Sequence, residues 1–192
     1  EDDRLGGEAL ADVQRVQVIA CGTALHAGQI ASYLIEGLAG IPTDVDFASE
    51  FRYRSPCLVP GTLALCISQS GETADTLAAA RLAVEHGARL VSICNVDGSS
   101  QVRESAGVVL THAGPEIGVA STKSLTGSLV ALYLLATYLG KVRGVIDGTR
   151  LATLLEELAM VPRLMGEVLV QGDQIEELAQ HYFKYDHFLY LG

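Results

Sequence analysis

Five short β-prone runs, at residues 16–21, 43–47, 63–68, 90–95 and 108–111, four of them rich in Val, Ile, Leu, Ala and Cys, recur along the chain with helix-length segments between them. Apolar runs of this kind belong to strands covered on both faces, and intervening segments of that length are crossover helices joining parallel neighbours. The pattern predicts an α/β class: a three-layer αβα sandwich around a five-stranded parallel sheet. Two helices stand out. One spans 74–86, and the other spans 125–139 with Ser121 as its expected N-cap. The apolar stretch of the second, 129–139, is too short to cross a bilayer and reads as a buried helix.

In such a sheet, ligands collect at the carboxyl ends of the strands. Three segments there share a vocabulary of Gly, Ser and Thr: Cys21-Gly22-Thr23-Ala24, Ser68-Gln69-Ser70-Gly71-Glu72-Thr73, and Gly118-Val119-Ala120-Ser121-Thr122. Hydroxyls and glycine at a strand-to-helix junction let an anion reach exposed N–H groups at the positive end of the helix dipole. Ordinary turns and caps use the same residues. Ser68, Ser70 and Thr73, however, put three hydroxyls and the Gly71 backbone into one turn, more than a single cap requires, so a ligand is favoured.

Two missing motifs narrow the ligand. No Gly-x-x-x-x-Gly-Lys-Ser/Thr speaks for a nucleoside triphosphate with magnesium, and no Gly-x-Gly-x-x-Gly follows the first run to hold a dinucleotide. Hydroxyls without an obligatory lysine suit a phosphate monoester, and a sugar phosphate is the natural candidate. The sequence asks for no cofactor and no metal.

A net charge of −10 without a Lys/Arg cluster speaks against nucleic acid and against a membrane as partner. At 49% hydrophobic, 192 residues suffice for one globular core. The start, Glu1-Asp2-Asp3-Arg4, is acidic where a secretory leader is basic. The cysteines at 21, 57, 66 and 94 form no Cys-x-x-Cys pair, so reduced thiols and a cytoplasmic location are expected.

The segments Cys21-Gly22-Thr23, Ala48-Ser49-Glu50-Phe51-Arg52-Tyr53-Arg54, Ser68 to Thr76, Ile93-Cys94-Asn95-Val96 and Glu116 to Lys123 carry a resemblance. In order and spacing they are similar to the glucosamine-6-phosphate synthase (glutamine:fructose-6-phosphate aminotransferase) family, and residues 16 onward resemble the first sugar isomerase (SIS) domain of that family. The resemblance implies a flavodoxin-like SIS fold. It also implies a part in converting fructose 6-phosphate and glutamine-derived ammonia to glucosamine 6-phosphate, in amino-sugar biosynthesis. Ser68, Gln69, Ser70 and Thr73 would hold the phosphate, Cys21, Gly22 and Thr23 would line the sugar side, and Val119, Ala120 and Ser121 would close the crevice. The family often has Ser where this chain has Ala24.

By the same resemblance, the ring-opening histidine, proton-shuttling glutamate and imine-forming lysine belong to a second SIS domain, a neighbouring subunit and a C-terminal tail. No catalytic residue is therefore assigned, and the chain alone is expected to bind sugar phosphate without turning it over. The implied partners are the second SIS domain, a glutaminase domain and a second copy in a homodimer. The expected domain layout is a leading helix or linker at 1–15, the SIS domain at 16–183, and the start of a second SIS domain at 184–192, where His187 to Gly192 echoes residues 16–22. The competing reading is a stand-alone SIS module that senses sugar phosphates, but such regulators carry a basic helix-turn-helix region that is absent here.

Other residues receive plainer expectations. His26 is read as a core or interface histidine, Glu72 as a complement to the dipole of its own helix, and Cys21 as a wall of the crevice. Lys123 is expected to pair with Glu116 or Glu50. The segment 49–54 and the apolar helix at 125–139 are read as subunit contacts.

Overall fold

In the computed structural model, the described residues are 10–118 and 121–189. The five runs become strands β1 (Arg15–Ala20), β2 (Thr43–Phe47), β3 (Thr62–Ser68), β4 (Arg89–Cys94) and β5 (Gly107–Leu110). They form one sheet in the order β2-β1-β3-β4-β5, with every neighbouring pair parallel. In this doubly wound order the winding reverses between β1 and β3, and a crevice opens at their carboxyl ends. All seven residues of central β3 are buried, whereas the edge strand β2, Thr-Asp-Val-Asp-Phe, is partly exposed and can carry two aspartates.

The helices of this unit are α1 (Gly22–Ala39), α2 (Ala48–Phe51), α3 (Ala74–Glu85), α4 (Ser100–Glu104) and α5 (Lys123–Val142). Because successive strand side chains point to opposite faces, the sheet builds two cores. Val16, Val18, Leu63, Leu65, Ile67, Val91 and Ile93 pack beneath α1 and α5. Ile19, Ala64, Cys66 and Leu90 meet Phe51 and the alanines Ala79, Ala80 and Ala83 of α3 on the other side. Close approach of α1 depends on Gly28, where a Cβ would lie 2.6 Å from Val18 Cγ1. From the expected leading segment, Leu10 and Val13 are buried in the first core. Residues 1–9 of that segment lie outside the described residues.

The apolar stretch at 129–139 sits inside a helix longer than expected. α5 runs 20 residues and is, by length and composition alone, long enough and apolar enough to cross a membrane. Its Ala131, Leu132, Leu135, Ala136 and Leu139 are buried in the first core, so the apolarity is accounted for by packing against the sheet and α1.

The chain divides into two compact units, Glu1–Leu151 and Ala152–Gly192. α6 (Gly148–Ala159) spans the division, followed by α7 (Val161–Leu169) and α8 (Gly172–Tyr182). Neither α7 nor α8 has a buried residue. Residues 187–189 carry no strand, and residues 190–192 lie outside the described residues.

Candidate functional site

At the carboxyl ends of β1 and β3, the 21–24 segment, the 67–70 segment, Thr73 and Thr76 of α3, and the first turns of α5 enclose a cavity of about 280 Å³. Among the described residues its lining has no lysine or arginine. An anion here would be held by hydroxyls, backbone N–H groups and helix dipoles alone.

The 68–73 loop is built from its own hydroxyls. Ser68 Oγ accepts the Gly71 N–H at 3.0 Å and lies 3.4 Å from Thr73 Oγ1, while Ser70 Oγ accepts the Glu72 N–H at 3.2 Å. Thr73 is the N-cap of α3 and makes no side-chain cap bond, so the first turn of α3 has no side chain satisfying its N–H groups from that position. Behind the loop, α4 acts as a buttress. The Gln101 N–H donates to the Gly71 carbonyl and Gln101 Nε2 to the Cys66 carbonyl, both at 3.1 Å. Gly71 has φ +68°, and a Cβ there would lie 2.1 Å from Ser99 Oγ and 2.8 Å from Cys94 Sγ. Only glycine fits both the backbone and the space.

Glu72 corrects the expectation that it serves its own helix. Its Oε1 accepts the Ser100 N–H at 2.7 Å, capping α4 instead, and that backbone bond is the main reason its carboxyl lies below the usual range. Sequence proximity to α3 does not decide the matter, because the Gly71 turn points the side chain toward the neighbouring helix start.

On the α5 side, the connection from β5 is clamped twice. Asn95, just beyond β4, accepts from Thr111 Oγ1 at 3.1 Å and Ala113 N–H at 2.7 Å and donates to the Gly114 carbonyl at 2.7 Å. Between these contacts His112 adopts φ +50°, a left-handed conformation uncommon for a non-glycine residue. Glu116 provides the second clamp. Its carboxylate accepts the Ser124 N–H at 3.0 Å, the Thr122 N–H at 3.3 Å, Thr122 Oγ1 at 3.1 Å and Ser121 Oγ at 3.5 Å. The adjacent Ser124 hydroxyl and N–H, with the Thr122 groups, outweigh partial desolvation and hold the carboxyl down at about 2. The N-cap of α5 is thus Thr122, not Ser121, and its capping anion comes from Glu116. Glu116 is occupied with this helix end rather than with Lys123, which is exposed.

Of the residues singled out from sequence, Cys21, Gly22, Thr23, Ser68, Gln69, Ser70, Thr73 and Ser121 all line the one cavity, as does Ala24. Val119 and Ala120 lie outside the described residues. Cys21 is half-buried in the wall, with Thr76 Oγ1 4.0 Å from its Sγ. His26 is neither core nor lining. It is exposed, with Nδ1 3.1 Å from Gln29 Oε1, because its position on α1 faces away from the sheet. In the 49–54 segment, Arg52 pairs with Asp75 at 2.6 Å and Arg54 pairs with Asp46.

Sequence reasoning missed Thr76, Ser124 and Ser128, which also line the cavity. Ser124 and Ser128 stand one turn apart on α5, and the Ser128 hydroxyl donates to the Ser124 carbonyl at 2.9 Å. The i, i+4 spacing of two serines on an otherwise apolar face was the available signal. Ser124 Oγ is buried and makes no hydrogen bond of ordinary geometry.

A family model described as SIS domain matches residues 9–138. Over 186 residues the chain is 53% identical to the glutamine–fructose-6-phosphate aminotransferase [isomerizing] of Pseudomonas syringae pv. tomato, covering 96% of this chain and 30% of that protein. It is 47% identical over 192 residues to the enzyme of the same name from Streptomyces coelicolor, covering 100% of this chain and 31% of that protein. The chain therefore spans about 30% of the length of the curated relatives it matches. Among solved structures, it superposes with a TM-score of 0.90 and 38% identity on the C-terminal domain of glucosamine-fructose-6-phosphate aminotransferase from Francisella tularensis, covering 94% of this chain and 51% of that one. Glucosamine-6-phosphate deaminase from Thermotoga maritima shares the fold, with a TM-score of 0.65, 24% identity, and coverage of 83% of this chain and 48% of that one.

Proposed function

This chain belongs to the SIS domain family, and on that footing we propose that its crevice binds a sugar phosphate, as an isomerase domain of a glutamine–fructose-6-phosphate aminotransferase. The observation that carries the reading is the convergence, in one cavity without a cationic side chain among its described lining, of the 68–73 hydroxyl loop and the N-terminus of α3 that its own cap residue leaves open. A phosphate placed there gains N–H donors and the positive end of a dipole. Ser68, Gln69, Ser70 and Thr73 hold the phosphate, Cys21, Gly22 and Thr23 line the sugar, and Ser121, with Val119 and Ala120, closes the crevice. The substrate is fructose 6-phosphate and the product glucosamine 6-phosphate.

The chain supplies binding and orientation. Ring opening, proton transfer and amination belong to other parts of the parent protein: a second SIS domain and a glutaminase domain that releases ammonia from glutamine. We place the reaction in the cytoplasm. The parent acts as a homodimer, a reading supported by Ile30 and Tyr33 on α1 and Leu134 and Tyr138 on α5, which are 47%, 79%, 40% and 40% exposed on two helices that pack together.

The test is a calorimetric titration with fructose 6-phosphate and glucosamine 6-phosphate, comparing the wild-type chain with a Ser70→Ala, Thr73→Ala double variant. Losing two hydrogen bonds to a charged group is expected to weaken binding about 100-fold or more. Equal binding by the two forms overturns the phosphate assignment.

A further inference from the structure

The loop that would receive the phosphate is bracketed by negative charge. Glu72 stands just before the N-cap Thr73, and Asp75 is the second residue of α3 and the acidic residue of its first turn. Carboxylates in such places ordinarily serve the positive end of their own helix. Here they would also repel a phosphate dianion bound on the same N–H groups, since like charges this close on a partly buried surface are weakly screened.

Both carboxylates are engaged elsewhere. Glu72 Oε1 accepts the Ser100 N–H at the start of α4. Asp75 Oδ1 accepts from Arg52 Nη1 at 2.6 Å. Arg52 is the C-cap of α2, the short helix beyond β2 that packs on α3, and its guanidinium carbon lies 4.9 Å from the centre of the Tyr53 ring. With 29% and 40% of the two side chains exposed, the pair adds little to folding. Its place matters more: Thr73 and Thr76, which flank Asp75 in the sequence, line the cavity, whereas Arg52 does not.

We propose that Arg52 is a positioning residue of the phosphate site: by holding the Asp75 carboxylate it cancels a charge that would oppose a dianion at the start of α3, and so keeps that helix end free for the ligand. This rests on the sugar-phosphate reading and adds to it a residue outside the cavity on which affinity for the anion depends. A guanidinium in the lining would bind the anion directly. One paired with Asp75 outside the lining acts by removing a repulsion, so the effects of Arg52 and Asp75 on binding must be coupled.

The experiment is calorimetry on the whole 192-residue chain, titrated with fructose 6-phosphate at roughly 20 mM and roughly 0.5 M salt, conditions that leave and remove most surface electrostatics. The variants are Arg52→Gln, Arg52→Lys, Asp75→Asn and the double Arg52→Gln, Asp75→Asn. At low salt Arg52→Gln is expected to bind about fivefold more weakly than wild type, with the gap falling below about twofold at high salt. Arg52→Lys, which keeps the charge, and the double variant, which removes both charges, are expected to stay within about twofold of wild type, and Asp75→Asn to bind about twofold more tightly. A double variant as weak as Arg52→Gln overturns the proposal, because Arg52 then acts on the ligand itself. A loss that high salt leaves in place, or that lysine does not rescue, overturns it as a packing effect, and so does an unchanged affinity in Arg52→Gln. If Arg52→Gln melts below the titration temperature, Asp75→Asn decides: tighter binding supports the proposal and unchanged binding overturns it. Wild type that binds no fructose 6-phosphate overturns the sugar-phosphate reading, whereas wild type that binds it beside an indifferent Arg52→Gln overturns this proposal alone.

Discussion

At the end of β3 the chain enters α3 through a loop whose hydroxyls bond to one another and to the loop backbone, and the cap residue Thr73 leaves the helix start without a side-chain partner. At the end of β5 it enters α5 through a longer connection in which Glu116 reaches forward to Thr122 and Ser124 and fills the helix start with a carboxylate. Both helix starts face the same cavity. An N-terminus satisfied internally is spent on stability, whereas one left open is available to a ligand's charge. Two junctions of similar composition therefore differ in how their helix starts are met, one left without a side-chain cap and one filled by the chain's own carboxylate.

The comparison is most severely broken at Gly71. Gly71→Ala forces a left-handed residue and pushes a methyl into Ser99 and Cys94. It is expected to cost about 3 kcal/mol in urea unfolding and to abolish binding of fructose 6-phosphate by calorimetry. An unchanged unfolding midpoint would mean that the α4 buttress does not hold the loop.

Glu116→Gln is next. The folded carboxyl sits at about 2 against an ordinary value of 4.5, so its contribution is fully present above 4.5 and is lost as pH falls toward 2. Wild type is expected to melt higher than the variant at pH 7, with the gap narrowing below pH 4.5 and closing near pH 2. A gap that stays constant across that window, followed by thermal melts, would remove Glu116 as the charged cap of α5.

Glu72→Gln sharpens the contrast from the other side, because Glu72 braces the 68–73 loop by capping α4 and is also held below its usual range. A smaller drop in melting temperature is expected than for Glu116→Gln, together with weaker fructose 6-phosphate binding. A loss of stability with no change in affinity would separate the buttress from the site. Ser121→Ala is the mildest. Its contact with Glu116 is long, at 3.5 Å, so a stability change of less than about 0.5 kcal/mol is expected. A larger change in chemical unfolding would make Ser121, rather than Thr122 and Ser124, the chief partner of Glu116.

Much of this molecule was legible in its sequence because the determining signals are local. All five strands fall within a residue or so of the expected runs, most clearly at the centre of the sheet, since a strand buried on both faces must be apolar at successive positions, as β3 is from Leu63 to Ile67. The three Gly/Ser/Thr segments at strand ends were found for the same reason: a sharp turn into a helix needs small, hydroxyl-bearing residues. What escaped was long-range. Ser124 and Ser128 read as part of a core helix until α5 is docked with that face on the cavity, and Glu72 reads as serving α3 until the turn at Gly71 aims it at Ser100. Glu116 reads as a partner for Lys123 until the loop folds its carboxylate onto the N–H groups of Thr122 and Ser124.

By itself, then, the order of apolar runs and turn residues determined a parallel α/β sheet and the end of it where the cavity opens, because backbone hydrogen bonding and burial act through neighbours in the chain. Which helix start stays open and which is already filled was decided only by the tertiary structure. That outcome depends on where a side chain several residues away comes to rest, and only the packed sheet and helices bring Glu116 to one dipole while leaving the other bare.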